Sequence, residues 1–264
     1  MGRSNAVGGG YGHLIRAIVE RELLVFVRYP INALGGVVTF LALFLVVFLG
    51  GREFGGQAFA DSLEGIIIGY FLWMLATVAL IDIGQEIGRE AQWGTLERHF
   101  ITPFGFGVVL LAKSVVKTVR VALLAGITLL VILLVTGERL RIDVLTVVPL
   151  VVLSLASVFG IGFALGGLSV LYKRIGDWIP LVQFAFVGLV AAPAAGIDWL
   201  HALPLVHGSD LLQRAMADGV RLWQFEARSL AALVATGVGY LVAGYAVFQS
   251  CQRRARRHGV LGDY

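Results

Sequence analysis

With 58% hydrophobic and only 14% charged residues, this chain of 264 residues is too apolar for an ordinary soluble domain, where apolar residues make up roughly half. At about 20 residues per crossing, its length allows about six membrane spans and leaves no stretch for a separate soluble catalytic domain. The net charge is +4, and the basic residues lie beside apolar runs. This placement favours anionic lipid headgroups as their partners and excludes a nucleic-acid role. We therefore expect one transmembrane domain over residues 1–264.

The first predicted element is an amphipathic helix within residues 11–29. Its polar side carries Arg16 and Glu20, and its apolar side carries Ile15, Ile18, Val19, Leu23 and Phe26. This pattern predicts a helix that lies on the inner membrane surface, with a cytosolic extension of the first span as the alternative. Pro30 predicts a bend before that span.

Six apolar runs follow, and each is long enough to cross a hydrocarbon core of about 30 Å as a helix. They cover residues 31–50, 65–87, 108–136, 144–172, 178–196 and 230–250. Alternating strands that would indicate a barrel are absent from the sequence pattern. The predicted fold class is thus an all-α integral membrane protein with six transmembrane helices.

Orientation is predicted from the basic residues near the span ends. With the N-terminus inside, 15 of the 21 Lys and Arg residues fall on the inner side. The six on the outer side are Arg52, Arg139, Arg141, Arg214, Arg221 and Arg228. We expect a multi-pass protein of the cell (cytoplasmic) membrane with both termini cytoplasmic, including a tail at 251–264.

The polar loop at residues 89–106, between the second and third spans, is predicted to project into the cytosol. Gly94 permits a break, Thr95 can cap a helix, residues 96–101 can form a short one, and Pro103 ends it. Such a helix would offer a rigid contact to a soluble partner. A plain turn is the alternative from the residues alone.

This loop resembles that of the membrane subunits of type-2 ATP-binding-cassette exporters, the six-helix permeases of drug, lipid and polysaccharide export. The matching residues are Glu90, Gly94, Thr95, Leu96, Glu97 and Pro103. The resemblance extends to Leu203-Pro204, His207-Gly208 and Leu211-Leu212 before the last span, and to the N-terminal helix.

The resemblance implies that the loop forms a coupling helix, which packs into a groove of a separate nucleotide-binding ATPase subunit. The implied contact set is Glu90, Gly94, Thr95, Leu96, Glu97, Arg98 and Pro103. No Gly-x-x-x-x-Gly-Lys-Ser/Thr phosphate loop occurs in the chain. We therefore expect ATP and Mg²⁺ to be bound by the partner, with no cofactor and no catalytic residue in this chain.

Between the fifth and sixth spans, residues 197–225 are too apolar for a solvated loop. Ser209 or Asp210 is predicted to cap a short helix through Ala217 that stops at Gly219. We expect short re-entrant helices that dip into the outer leaflet, with an extracellular loop helix as the alternative.

Five residues of the second span are candidates for a substrate pathway. Asp82 and Glu86 share one face near its inner end, where a carboxylate is costly unless it meets water or a partner such as Lys113 or Lys117. Tyr70, Phe71 and Trp73 are candidate lining for an amphipathic or lipophilic cargo, and core packing is their alternative role.

Two further patterns are predicted to have a structural role or no role in binding. Gly162 and Gly166, with Gly160 and Gly167 nearby, indicate close helix packing, within one subunit rather than between two. His201 and His207 match no metal-ligand spacing, and no metal is predicted there.

Six spans with few intramembrane charges are too few to enclose a path for a bulky solute. We therefore expect a homodimer with the pathway at its interface, lined by the first, second and fifth spans as the resemblance implies, and alternating access driven by ATP. The predicted function is the permease subunit of an exporter, not an enzyme. The alternatives are an integral-membrane lipid-modifying enzyme and an ATP-independent secondary transporter.

Overall fold

The computed structural model describes residues 11–92, 106–171 and 178–257, and in these ranges every regular element is helical. Short 3₁₀ turns and one π turn lie between the last helices. The helices are α1 Tyr11–Arg28, α2 Pro30–Asp61, α3 Leu63–Gln92, α4 Phe106–Thr136, α5 Val144–Leu171, α6 Ile179–Ala191, α7 Val206–Gln213 and α8 Ala227–Arg257.

Five of these helices, namely α2, α3, α4, α5 and α8, are long and apolar enough to cross a membrane. The fifth predicted span is present as the shorter apolar helix α6, which continues into a 3₁₀ turn at Ala192–Ala195. Length and composition therefore indicate a multi-pass membrane protein. Within the described ranges the structure has five helices of spanning length and one shorter apolar helix, where the sequence predicted six spans.

The centre of the bundle is formed by α3 and α5. In their most apolar stretches 61% and 56% of the residues are buried, against 6% in α2. Buried residues of α3 such as Ile67, Leu72 and Leu75 pack with Leu150 and Phe163 of α5 in one hydrophobic core. Since α2 covers little of this core, most of its apolar surface points away from the rest of the chain.

Helix α2 extends beyond the predicted end of the first span at residue 50. It is interrupted at Gly56, whose φ of 54° is a left-handed conformation that favours glycine. After this break the chain reverses, and the Phe59 ring lies over Gly51 and Gly55. Gly51 and Gly55 have no side chain and so leave room for that ring. The segment after Gly56 therefore packs against the turn of α2 that precedes the break.

The α5–α8 pair is the most extensive helix contact in the described chain. Gly160 and Gly167 of α5 lie against the backbone of α8 at Tyr240 and Phe248, and Gly244 of α8 lies against Gly160. Gly160 and Gly167 confirm the predicted use of small residues for packing within one subunit. Gly162 and Gly166 are also buried.

The short helix predicted after α6 exists, but its predicted cap is wrong. Helix α7 begins at Val206 after Leu205, which has a φ of 68°, and no side chain caps it. Ser209 is already inside the helix, because its backbone N–H donates to the Leu205 carbonyl at 2.7 Å. The end is as predicted: one π turn follows α7, and the helix stops at Gly219, with a φ of 75°.

Candidate functional site

Two predicted pathway residues, Tyr70 and Trp73 on α3, join it to helices on either side. The Tyr70 hydroxyl donates to the Phe40 carbonyl of α2 at 2.6 Å. The Trp73 indole Nε1 donates to the Gln183 carbonyl of α6 at 3.0 Å. Because both bonds reach backbone carbonyls, they fix helix positions rather than side-chain rotamers alone. These bonds link α2, α3 and α6, the first, second and fifth apolar helices along the chain.

Tyr70 and Trp73 also belong to a cluster of rings between α2 and α3. The ring centroids of Tyr70 and Trp73 are 5.5 Å apart, and Phe44 lies 5.3 Å from Tyr70 in an edge-to-face arrangement. Phe40 packs edge-to-face on Trp73 at 6.2 Å. Such ring pairs add about 1 kcal/mol each beyond their burial. The third predicted lining residue, Phe71, is 8% exposed and belongs to the core instead.

The same helix leads directly to the loop that carries the family resemblance. Helix α3 is continuous from Leu63 to Gln92, so it extends past the predicted span end at 87. Asp82, Glu86 and Glu90 therefore stand on the last turns of α3, and Glu90 is helical rather than part of the loop. The other predicted contact residues lie outside the described residues: Gly94, Thr95, Leu96, Glu97, Arg98 and Pro103.

At this end of the bundle, α1 is joined to α4 by an ion pair that sequence reasoning missed. Arg120 Nη1 of α4 lies 2.9 Å from Glu22 Oε2 of α1, and the two side chains are 31% and 9% exposed. Ile18, one turn earlier on α1, is also buried. The side of α1 that carries Ile18 and Glu22 is thus buried, and the ion pair joins it to α4. Glu22 is hard to find from sequence, since its partner is far along the chain.

At the opposite end, the loop between α4 and α5 contacts the segment after α7. The Arg141 backbone N–H donates to the Met216 carbonyl at 2.8 Å, and its guanidinium donates to the Asp218 carbonyl at 3.1 Å. The Leu222 N–H donates to the Thr146 hydroxyl at 2.9 Å. Residues 141–146 and 216–222 therefore lie at the same end of the bundle.

Helix α7 is inserted among α3, α5, α6 and α8 rather than resting on the surface. Gly208 lies directly against Ser154, which is ten residues into α5 and hence about 15 Å from its start at Val144. Leu211 and Leu212 are each 1% exposed. A helix buried to this depth belongs to the core of the bundle.

We expect Ser209→Ala to loosen α7. The Ser209 hydroxyl donates to the Val190 carbonyl at 2.8 Å, near the end of α6, and both residues are buried. Removing the donor leaves a buried carbonyl without that bond, which costs about 1–2 kcal/mol. The measurement is the thermal unfolding midpoint of the purified protein. Ser250→Ala is the control, because that exposed hydroxyl bonds only to the Ala246 carbonyl of its own helix, and it should leave the midpoint unchanged.

No family model, curated protein or solved structure matches the chain.

Proposed function

We propose that this chain is the membrane-spanning permease subunit of a type-2 ATP-binding-cassette exporter. It moves an amphipathic or lipophilic substrate, such as a drug, a lipid or a lipid-linked glycan, out of the cytoplasm. A separate ATPase subunit binds residues 89–106 and supplies the energy. The cell membrane with both termini cytoplasmic is the matching location.

The observation that carries this proposal is the continuity of α3. One helix of 30 residues holds the bonds to α2 and α6 and ends at Gln92, next to the loop motif. From Trp73 to Gln92 the rise is about 29 Å at 1.5 Å per residue. A helix without a break transmits a displacement of its end as a rigid body. A push on the loop therefore moves the contact between α2, α3 and α6.

The exposed surface of α2 supports a homodimer. Large apolar side chains on several of its sides face away from the bundle, and Val38, Val46 and Leu49 are each about 60–70% exposed. Lipid covers part of such a surface. A second copy packed along α2 covers the rest and encloses a pathway between α2, α3 and α6 of the two subunits.

The helix contacts also support six crossings and a common side for both termini. The α4–α5 loop and the segment after α7 lie at one end of the bundle, and α5 leads away from that end. The chain must therefore return through α6 and its flanking turns before it reaches Met216. Short helices that return part of the way, such as α7, fit the re-entrant arrangement that the sequence predicts.

The test is co-purification from the native membrane with an ATPase whose sequence carries the phosphate-binding loop, followed by ATP hydrolysis in reconstituted vesicles. Replacing both Glu97 and Arg98 by alanine is expected to weaken this complex at least about tenfold, because each charge loses its partner across the joint. Vesicle ATPase activity should fall with it.

Arg52→Ala with Glu53→Ala is the matched control. These adjacent charges are exposed at the far end of α2, on the predicted outer side. The control should retain both the complex and its ATPase activity. A complex that survives the change at Glu97 and Arg98 unchanged, or substrate movement in vesicles without any nucleotide hydrolysis, would show that the assignment is wrong.

A further inference from the structure

Three side chains that the sequence separates are brought together between α6 and α8. His201 lies in the 3₁₀ turn Asp198–Ala202, and His207 and Asp210 lie on α7. One ring nitrogen from each histidine and one carboxylate oxygen all lie within 4.8 Å of one another. From this geometry we infer that His201, His207 and Asp210 form a binding site for a divalent transition metal ion, with Zn²⁺ as the best fit.

The distance between the two histidines supports a shared ion. Their Nδ1 atoms are 3.3 Å apart. Two imidazole nitrogens on a tetrahedral Zn²⁺, each about 2.0–2.1 Å from the metal, are separated by about 3.3–3.4 Å. The observed separation matches the edge of a zinc tetrahedron, so the two Nδ1 atoms are already at the spacing that a shared ion requires.

The hydrogen bond made by the second ring nitrogen of His207 fits this role. Its other nitrogen, Nε2, lies 2.8 Å from the Ser229 carbonyl oxygen at the start of α8. A carbonyl only accepts hydrogen bonds, so Nε2 is the donor in this contact, and in the neutral ring that tautomer leaves the lone pair on Nδ1. Metal-binding histidines are oriented by such a bond from the second ring nitrogen to a carbonyl or carboxylate. This bond is already present for His207.

Without metal, the same geometry requires His201 Nδ1–H to donate to His207 Nδ1. When the ion binds, His201 takes its other tautomer: the Nδ1 proton passes to water and water returns one proton to Nε2, so the ring stays neutral and no proton is gained or lost. Both rings stay neutral, and the ion takes the place of the proton that lay between the two Nδ1 atoms.

Asp210 supplies the third ligand and lowers the charge of the bound ion. Its Oδ2 lies 3.0 Å from Arg214 Nη2, in a pair whose side chains are 20% and 56% exposed respectively. A carboxylate held by a hydrogen bond from outside is typical of metal sites. The nearby guanidinium opposes a cation, but its exposure weakens that effect through solvent screening. Water completes the four ligands, since the three side chains are only partly buried.

The site would fasten a turn to a buried helix. His207 and Asp210 lie on α7, which the core fixes through Leu211 and Leu212, whereas the turn of His201 is more exposed, with Trp199 68% exposed. A bound ion would therefore hold the connection between α6 and α7 in place. This role does not depend on the exporter function.

The experiment uses the full chain, without a histidine tag, purified in lipid–detergent micelles and freed of metal with a chelator. Co²⁺ is the probe, because tetrahedral Co²⁺ absorbs visible light and Zn²⁺ displaces it. We expect absorption that saturates at one equivalent of Co²⁺ and disappears on adding Zn²⁺. Zn²⁺ should also raise the thermal unfolding midpoint.

His201→Gln is the main variant, and we expect it to weaken Co²⁺ binding at least about 100-fold and to remove the thermal shift. Asp210→Asn is a second variant that leaves the histidine pair intact, and it should weaken binding in the same direction. His13→Gln, on the exposed side of α1, is the control and should bind like the original chain. Absence of saturable binding, or binding in His201→Gln and Asp210→Asn as tight as in the original chain, would overturn the assignment and leave only adventitious surface chelation.

Discussion

Replacing Gly244 by alanine is expected to lower the free energy of unfolding by about 2 kcal/mol. A Cβ at this position would collide with the carbonyl group of Gly160 on α5 and lie 2.7 Å from its Cα. Backbone cannot rotate away as a side chain does, so α5 and α8 must separate, and overpacking of this kind costs about 1–3 kcal/mol. In a membrane the hydrophobic effect does not drive helices together, because lipid tails are as apolar as leucine. The loss of close packing at this contact is therefore not compensated. The measurement is equilibrium unfolding in micelles.

Gly239→Ala on the same helix is the matched control. A Cβ there meets nothing within 4 Å, so only the higher helix propensity of alanine remains. That propensity is worth up to about 1 kcal/mol, and the variant should be as stable as the original chain or more so. If the two variants behave alike, the close contact between Gly160 and Gly244 does not exist in the folded protein.

Replacing Glu22 by glutamine is expected to release α1 from the bundle. The change keeps the size of the side chain but leaves Arg120 without its charged partner, and the Glu22 position is buried. A hydrogen bond to a charged group contributes about 2 kcal/mol, which corresponds to about a 30-fold shift in a local opening equilibrium. Hydrogen exchange of the α1 backbone amides should therefore accelerate by about that factor while α5 exchanges as before.

Glu20→Gln serves as the control for the same helix and the same chemical change. Glu20 pairs with Arg16 at 2.7 Å within α1, and both side chains are more than half exposed. Exposed pairs of this type contribute little to stability, because water screens both charges. Exchange in α1 should barely change. Equal acceleration by both variants would mean that helix propensity, and not the contact with Arg120, sets the stability of α1.

If α1 is held in this way, it also limits the motion proposed for the exporter. The Glu22–Arg120 pair joins α1 to α4, and α4 begins where the loop at residues 93–105 ends. Displacement of that loop would therefore act on α3 from one side and on α4, with α1 attached, from the other. Transport by the Glu22→Gln protein would show whether this attachment is needed.

The sequence by itself determined the elements and their membrane character. The length and apolarity of a run depend only on residues that are neighbours in the sequence. The local pattern was therefore enough to predict α1, α2, α3, α4, α5 and α8. It was also enough to predict that the segment after α7 stops at Gly219. The loop motif from Glu90 to Pro103 is likewise a sequence feature. It remains a prediction, since most of it lies outside the described residues.

Only the tertiary structure decided which helices pair and which polar groups meet. Apolar helices in lipid all look alike to a hydropathy pattern, and their pairing depends on shape, as where Gly160 meets Gly244. Glu22 meets Arg120, and His201 meets His207, because the fold brings these residues together. Their spacing in the sequence predicts neither contact. The same reason explains why the cap of α7 was mispredicted: the helix begins earlier, at Val206, and the Ser209 hydroxyl inside it donates to the Val190 carbonyl of a different helix.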